Sequence, residues 1–245
     1  MARVGVVIPV FNHAARVGAV INGVIPYGLD VFVVDDGSVD DVRSVLAGYG
    51  NRIVVCSYPE NRGKGYALRQ GFMLAQKAGC DHVLTIDADG QHRPEDIPLL
   101  LREMQHFPEA LILGSRSFTH KNMPSRNTFA NCFSNFWFWV QTGKKIPDTQ
   151  TGFRIYPLWP MNGMKFFTSR YETELEMLVR LAWKGVGIVP VEVQVHYFSK
   201  RERVSHFRPF LDFLRISLLN TVFTLMAFFY AYPNRWLHGI KRNRR

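Results

Sequence analysis

Cysteine is scarce in this chain: Cys56, Cys80 and Cys132 are scattered, and none belongs to a C-x-x-C pair. An odd, dispersed set favours neither a zinc site nor a disulfide framework, and it fits a reducing compartment. After Met1 the sequence enters the apolar run VGVVIPV without the charged and apolar regions of a signal peptide. We therefore expect no cleaved leader and a cytoplasmic working surface.

Acidic residues are in the minority, since 30 Lys and Arg stand against 20 Asp and Glu, giving a formal net charge of +10 and a pI near 9.7. This balance favours an anionic partner: nucleic acid, a phosphorylated substrate or an acidic membrane surface. The basic residues near the C-terminus stand beside apolar aromatics and form no known nucleic-acid-binding motif. We therefore expect no nucleic-acid partner, and nothing in the sequence specifies an oligomeric state.

Internal repeats and low-complexity linkers are also absent, and 245 residues with 47% hydrophobic content are enough for one ample core. Short β-branched runs alternate with helical stretches through the first half. The predicted strands are VGVVIPV, VFVVD, RIVVCS, HVLTID and ALILGS, and the predicted helices are Ala14–Ile25, Asp40–Gly48, Gly63–Ala78 and Pro94–Phe107. The pattern predicts a Rossmann-like, three-layer α/β/α domain with a mostly parallel sheet. A later helix, Glu172–Lys184, and the strand VGIVPVEVQV would complete it.

Polar residues follow several predicted strands, and ligands of such sheets bind beyond the carboxyl ends of the strands. Asp87 and Asp89 follow the fourth strand and project to the same side if the chain stays extended. Two adjacent carboxylates repel unless a cation lies between them, and hard oxygens suit Mg²⁺ or Mn²⁺, which also bind diphosphates. The pair thus predicts a metal seat for a nucleotide diphosphate. The alternative is a turn at Asp89-Gly90 before a charged helix start at Pro94.

Two other strand exits are less specific. In DDGSVDD, Asp36 is a candidate acceptor of hydrogen bonds from a ribose or base, while residues Ser38 to Asp41 fit a turn and helix cap. NRGKGYA is a glycine-rich turn that opens a helix and resembles an anion cradle. It lacks both standard phosphate-loop signatures, so a simple tight turn is an equally good interpretation.

The segments VVIPVFN, VFVVDDGSVDD, NRGKGYALRQGF, LTIDADGQHRPEDIP, GSR and DTQTGFR occur in this order. Together, over roughly Val4 to Phe198, they resemble the family 2 inverting glycosyltransferases of GT-A fold. The resemblance is strongest to the dolichyl-phosphate mannose synthase-like, polyprenyl-phosphate glycosyltransferases. It implies a metal-dependent enzyme that moves a sugar from a UDP- or GDP-sugar, with Mg²⁺ or Mn²⁺, to a lipid carrier, above all a polyprenyl phosphate.

The same resemblance assigns roles to individual residues. Nucleoside contacts fall to Pro9, Phe11 and Asp36; the metal and diphosphate to Asp87, Ala88, Asp89 and Gln91, with Asp87, Asp89 and Gln91 as metal ligands; and phosphate binding to Arg116. Gln150 and Arg154 lie on the acceptor side with Asp148, and the catalytic set is Asp89, Arg116 and Asp148. Where relatives commonly have Glu, this chain has His13.

The role of Asp148 depends on the acceptor. A lipid phosphate supplies an oxygen that is already anionic, so Asp148 would only orient the sugar. A hydroxyl of another lipid or glycan would require Asp148 to accept a proton. Two further alternatives are a loop carboxylate paired to Arg154, and, for the whole chain, a catalytically idle nucleotide-sugar-binding or membrane scaffold protein.

A second group of cations is expected on the substrate side. The segment SKRERVSHFR resembles a mobile basic loop of the family that closes over the phosphates, with Arg201 and Arg203 on the donor and Lys200 and Ser205 on the acceptor. Arg126 would join the acceptor side. Arginine forks bind phosphate bidentately, which suits a reaction with several phosphates. A solvated basic face is the plainer alternative.

The C-terminal part predicts membrane association. Residues 1–206 form the expected catalytic domain, and residues 207–245 form an apolar tail with a basic end. Ile216–Tyr232 is uncharged but only 17 residues long, the lower limit for a span. A span would place KRNRR opposite the catalytic domain, against the positive-inside tendency, so we expect in-plane or re-entrant helices at the cytoplasmic face. A single span and a soluble packing helix are the alternatives. The aromatic stretch Phe133–Val140 fits either a core helix or an interfacial surface.

Overall fold

The computed structural model describes residues 2–116, 125–196 and 209–233, and for residues 125–129 and 209–213 it describes the backbone only. The strands of its seven-stranded sheet are β1 Val4–Val10, β2 Asp30–Asp35, β3 Val54–Ser57, β4 His82–Thr85, β5 Leu111–Arg116, β6 Arg154–Pro157 and β7 Ile188–Val193. The helices are α1 Ala14–Val24, α2 Val42–Ala47, α3 Lys64–Lys77, α4 Ile97–His106, α5 Ser125–Thr142, α6 Glu172–Trp183 and α7 Pro209–Met226, the last continued by a π-helical segment, Ala227–Ala231.

The strand order is β3-β2-β1-β4-β6-β5-β7, and β6 alone in this described sheet runs antiparallel, between β4 and β5. The other pairings are parallel. The predicted mostly parallel sheet is therefore confirmed, but β6 was not foreseen. Its antiparallel direction brings the loop that precedes it, DTQTG, to the edge where the parallel strands end.

Helices cover both faces of the sheet. On one face, α1, α2 and α4 bury residues such as Ile21, Leu46 and Leu100 in one hydrophobic cluster with the sheet. On the other, α3 and α6 pack with Leu68 and Leu178 among their buried residues. Every residue of β1 is buried, which explains its continuous apolar run, because a central parallel strand meets a helix layer on each side.

The ends of two elements differ from the sequence prediction in a way that matters for the site. Strand β4 ends at Thr85, two residues before Asp87, and Ala88 and Asp89 lie in a turn. The extended conformation therefore does not persist through the two carboxylates, and the predicted turn at Asp89-Gly90 is correct. The helix predicted to start at Pro94 begins as a 3₁₀ turn, Pro94–Asp96, that leads into α4.

Helix α7 packs along α5 and α6 through one stripe of side chains. The Trp183 and Phe223 rings meet edge to face at 5.4 Å, and the Gln141 side-chain amide donates to Asn220 Oδ1 at 3.0 Å. The Tyr232 hydroxyl donates to the Val140 carbonyl oxygen at 2.6 Å. Among the described helices, the segment Leu214–Ala231 is long and apolar enough to cross a membrane, with a mean hydropathy of 1.5 and 28% of it buried. It is thus in part a packing helix of this structure.

Candidate active site

The site lies at the edge where the parallel strands end, and the loop before β6 is fastened to it. Thr85, the last residue of β4, donates its hydroxyl to the Gly152 carbonyl oxygen at 2.7 Å. A Cβ on Gly152 would lie 2.5 Å from Asp87 Oδ2, so a glycine is required for this close approach. The loop and the Asp87 carboxylate therefore occupy adjoining space at the strand edge.

A lysine lies against the carboxylate that was expected to face a metal ion. Lys64 Nζ is 2.7 Å from Asp87 Oδ1 and 2.8 Å from Glu174 Oε2, and only 17% of the lysine side chain is exposed. Burial lowers the pKa of Lys64, but the charges of Asp87 and Glu174 outweigh it and raise that pKa, so the group stays an ammonium. Burial likewise raises the pKa of Asp87, and Lys64 more than reverses it.

Gly65 makes this arrangement sterically feasible. The first turns of α3 and α6 lie so close together that a Cβ on Gly65 would be 1.9 Å from Thr173 Oγ1. Lys64 of α3 and Glu174 of α6 flank this contact in sequence, and the helix packing brings their charges together. The glycine-rich turn NRGKG is therefore a helix-packing device as well as a strand exit.

Asp89 differs from Asp87 in the direction in which its surroundings shift its pKa. Its Oδ1 accepts from the Gln91 amide at 2.9 Å, and Arg16 Nη1 donates to its carbonyl oxygen at 3.2 Å. Burial and the nearby Asp87 charge raise the pKa of Asp89 to about 6. A pKa raised in this way marks a position where an added positive charge would be stabilised.

The charge balance fits a divalent cation that is completed by substrate oxygens. Asp87, Asp89 and Glu174 supply three carboxylates against the Lys64 ammonium and the Arg16 guanidinium, and Mg²⁺ is commonly held by one or two carboxylates together with phosphates and water. Within the described ranges, no group of three or more His, Cys, Asp or Glu forms a ready metal cage. Asp89 is therefore the better-placed ligand, with Asp87 shared with Lys64, and Gln91 as a ligand stays a prediction.

On the nucleoside side, Asp36 holds a loop. Its two carboxylate oxygens accept from the Arg62 and Gly63 amides, each at 2.8 Å, and the residue is 3% exposed. Pro9 is buried near the end of β1, and Phe11 is half-buried just beyond it. Asp36 thus fixes the NRGKG turn, and nucleoside contacts from these three residues stay a prediction.

Of the expected turn and helix cap in DDGSVDD, Asp40 bonds the first amide of α2, whereas the residue directly before that helix, Asp41, makes no side-chain capping bond. Ser38 Oγ accepts from the Asn12 amide at 3.0 Å. The Asp40 carboxylate accepts from the Ala14 amide at 2.9 Å and from the Val42 amide at 3.3 Å, at the starts of α1 and α2. One side chain therefore ties two helix N-termini to the same edge of the sheet.

Asp148 is buried and locked in a two-pronged ion pair. Arg116 Nε lies 2.6 Å from Asp148 Oδ2, Arg116 Nη2 lies 2.8 Å from Oδ1, and the Gln150 amide also donates to Oδ1 at 3.0 Å. Asp148 has no exposed surface. The considered pairing of Asp148 with Arg154 is wrong, because its partner is Arg116.

Arg154 does not face an acceptor, and its predicted acceptor-binding role is wrong. It is fully buried, with Nε donating to the Thr151 carbonyl at 2.7 Å and Nη2 to the Thr149 carbonyl at 2.9 Å. Nη1 donates to the Tyr156 hydroxyl and to the Glu174 carbonyl, each at 2.9 Å. Its role is to shape the loop that carries Asp148, since its guanidinium is saturated by that loop and by α6.

The structure also adds residues to the site that sequence reasoning left without a role. Lys64 and Glu174 are the main ones, and the available signal was a lysine inside a strand-exit turn. His92 is buried, its ring lies 5.3 Å from that of Phe153, and burial lowers its pKa to about 4, so it is neutral. His13 precedes α1 and, when protonated, adds to the effect of Lys64, which lowers the pKa of Asp87 against the effect of burial.

The remaining candidates lie outside the described residues. These are Lys200, Arg201, Arg203 and Ser205 in the basic segment, and the side chain of Arg126 at the start of α5. The predicted basic loop and the basic tail after residue 233 likewise stay predictions. Ala88, between the two acids in sequence, is buried, and its contact with the diphosphate stays a prediction.

The model of a known family, Glycosyl transferase family 2, matches residues 5–166. This chain belongs to that family. A UDP-N-acetylglucosamine–dolichyl-phosphate N-acetylglucosaminyltransferase of Methanococcus voltae is 26% identical over 87% of this chain and 94% of the relative. A mouse dolichyl-phosphate beta-glucosyltransferase is 29% identical over 62% of this chain and 54% of its own length. The family and the likeness to polyprenyl-phosphate glycosyltransferases are thus confirmed.

The fold is confirmed as GT-A by solved structures. Glucosyl-3-phosphoglycerate synthase from Mycobacterium tuberculosis, crystallised with Mn²⁺, UDP and glucosyl-3-phosphoglycerate, superposes with a TM-score of 0.63. The match covers 92% of this chain and 79% of that one, at 19% identity. At that identity the likeness concerns the fold alone.

Proposed function

We propose that this glycosyltransferase is a metal-dependent, inverting enzyme that moves a sugar from a UDP- or GDP-sugar to a polyprenyl phosphate at the cytoplasmic face of a membrane. The observation that carries the proposal is the locked Asp148–Arg116 pair, which lies at the same sheet edge as the acid pair Asp87 and Asp89. Among the described residues, this edge would offer Asp87 and Asp89 to a metal and diphosphate, while Asp148 is held by Arg116 and is not available to deprotonate a hydroxyl.

On the donor side, the chain supplies charge and position. Asp89, with Asp87 and Gln91, would hold the ion, which would neutralise the nucleoside diphosphate as it leaves the sugar. Gly152 leaves room for the Asp87 carboxylate, and Asp36 fixes the turn that carries Lys64. These contacts preorganise the edge, so that little has to move when the donor binds.

On the acceptor side, the chemistry needs no proton transfer. An oxygen of the lipid phosphate forms a bond to the anomeric carbon while the bond to the donor diphosphate breaks, and the diphosphate leaves with the bonding electrons. Asp148 then has no proton to accept, and its burial and its two bonds to Arg116 support a role in holding that guanidinium in position. A hydroxyl acceptor would first require this ion pair to open, which costs several kcal/mol for a buried pair.

Membrane association is supported by an exposed apolar surface, which we call the α5–α7 surface. It consists of Phe136, Trp139, Leu214, Leu218, Val222, Leu225, Phe228, Phe229 and Tyr230, each at least 42% exposed. Aromatic and aliphatic side chains in such density are favourable at the boundary of headgroups and acyl chains. Since the opposite stripe of α7 packs on α5 and α6, we propose an in-plane position, with residues 207–245 as the membrane-associated part.

The test is a transfer assay with the purified full-length chain, Mn²⁺ and vesicles of defined composition. Radiolabelled UDP-glucose, UDP-N-acetylglucosamine and GDP-mannose are each offered with polyprenyl phosphate, and with polyprenol as the matched acceptor without phosphate. We expect lipid-extractable label with the phosphate acceptor alone. Equal transfer to polyprenol would contradict the acceptor, and the absence of turnover with every donor would favour an idle binding protein.

A further inference from the structure

The Lys64 ammonium forms ion pairs with two carboxylates at the edge of the sheet where we propose that the donor binds. Lys64 Nζ lies 2.7 Å from Asp87 and 2.8 Å from Glu174, so the two acids share it almost equally. The lysine side chain is 17% exposed, and those of Asp87 and Glu174 are 27% and 11% exposed. Water therefore screens these interactions only in part, and any change at one partner is felt at the other.

Sharing has a direct consequence for Asp87. A carboxylate that is fully neutralised by an adjacent ammonium is a poor ligand for a second cation, because the two positive charges repel. Glu174 draws part of the Lys64 charge toward α6. Asp87 then keeps more of its own negative charge for the side that faces Asp89.

We propose that Glu174 is a positioning residue that draws Lys64 away from Asp87 and thereby keeps Asp87 available to a divalent cation. The inference rests on the proposed metal-dependent function. It adds a third acid to the two that follow β4: Glu174 of α6, which lies 87 positions after Asp87 in the chain.

A purely structural role for the triad makes a different prediction. If Lys64 only fastened α3 to α6, then removal of either charge would loosen the edge and weaken the metal site. Charge competition instead predicts opposite signs. Glu174→Gln leaves Lys64 to Asp87 alone and weakens metal binding, whereas Lys64→Met removes the competing ammonium and strengthens it.

The experiment measures Mn²⁺ binding to the full-length chain without a donor, by electron paramagnetic resonance of the free ion. We expect Glu174→Gln to lower the affinity and Lys64→Met to raise it, each on the order of tenfold. The double variant should bind Mn²⁺ more tightly than Glu174→Gln alone. Glu176→Gln is the matched control, because this buried acid of α6 accepts hydrogen bonds from Arg180 and the Phe167 amide and does not contact Lys64. The Mn²⁺ affinity of this variant should equal that of the wild type.

The outcomes separate the inference from the function beneath it. If the wild type binds no Mn²⁺ even with UDP present, the proposed metal dependence fails and the inference fails with it. If the wild type binds but both single variants shift the affinity in the same direction, or Glu174→Gln does not shift it, the inference alone is overturned. Circular dichroism checks each fold, and Glu174→Asp and Lys64→Gln replace any variant that does not fold, with the same signs expected.

Discussion

A proton and a metal ion should compete for Asp89. Burial and the adjacent Asp87 charge raise the pKa of Asp89 to about 6, whereas an unperturbed aspartate titrates near 4. Above pH 6 the carboxylate is ionised and ready to bind a cation. Below pH 6 a proton must be displaced first, so the apparent Mn²⁺ affinity should fall by up to about tenfold for each pH unit.

The assay is a Mn²⁺ titration of the full-length chain between pH 5 and 7.5, without nucleotide, whose own phosphates titrate in this range. We expect little change above pH 7 and a loss of about fivefold between pH 6 and pH 5, since a group with a pKa of about 6 is half ionised at pH 6 and about one-tenth ionised at pH 5. Asp89→Asn is the control and should bind weakly with a flat profile over this range. A flat wild-type profile, or an unchanged slope in Asp89→Asn, would refute the reasoning.

The raised pKa of Asp89 also predicts how the free energy of unfolding depends on pH. The dependence has the opposite sign from that of an aspartate in an ion pair, whose pKa is lowered. The folded chain holds the Asp89 proton more tightly than the unfolded chain, so this group favours folding below about pH 4 and that contribution is lost as the pH rises through 6. A shift of about two units corresponds to roughly 3 kcal/mol at most, and partial exposure reduces it to about 1–2 kcal/mol. The free energy of unfolding of the wild type minus that of Asp89→Asn isolates the term, and a difference that grows with pH would contradict it.

Three further changes test the site. Gly152→Ala places a methyl group 2.5 Å from Asp87 Oδ2 and should lower sugar transfer by roughly 10- to 100-fold, with the fold intact by circular dichroism. Arg154→Met leaves the Thr149, Thr151 and Glu174 carbonyls without their donor and should lower the free energy of unfolding by about 3 kcal/mol or more in urea. Asp148→Asn should lower transfer to polyprenyl phosphate by less than about 100-fold, because a general base alone contributes 10²–10⁴; abolished transfer with intact nucleotide binding would favour a hydroxyl acceptor.

Most of the sheet could be predicted because the burial of each strand determines its pattern of apolar residues. Val4–Val10 is buried along its whole length, so every position is apolar and the run stands out. Strand β6 could not be predicted in the same way. It has only four residues, RIYP, and begins with an arginine whose burial depends on carbonyl groups of the preceding loop and of α6. Such a strand is specified by its neighbours, and its own sequence shows no period.

The same distinction applies to the site: the positions of residues at strand ends could be predicted, whereas the pairings that depend on tertiary packing could not. The rule that ligands bind beyond strand ends placed Asp87 and Arg116 at one edge, and the resemblance to the glycosyltransferases added Asp148, which pairs with Arg116 there. It gave no information on which charges pair there, since Arg116 and Asp148 are 32 positions apart and both pairings of Lys64 depend on helix packing. Arg154 is the clearest example. It belongs to the motif DTQTGFR, but its guanidinium donates to carbonyl groups of the loop that carries Asp148 and does not face a ligand.

The pairings explain how a site so rich in acids suits an anionic acceptor. Asp148 is neutralised by Arg116, and Asp87 is neutralised in part by Lys64, whereas burial and the Asp87 charge raise the pKa of Asp89. With a divalent cation at Asp89, the edge would carry no large negative field that repels a lipid phosphate. Without the cation it would repel both the diphosphate and the acceptor, since like charges a few ångströms apart cost several kcal/mol in a partly buried site. Metal binding would then be a condition for acceptor binding as well as for departure of the diphosphate.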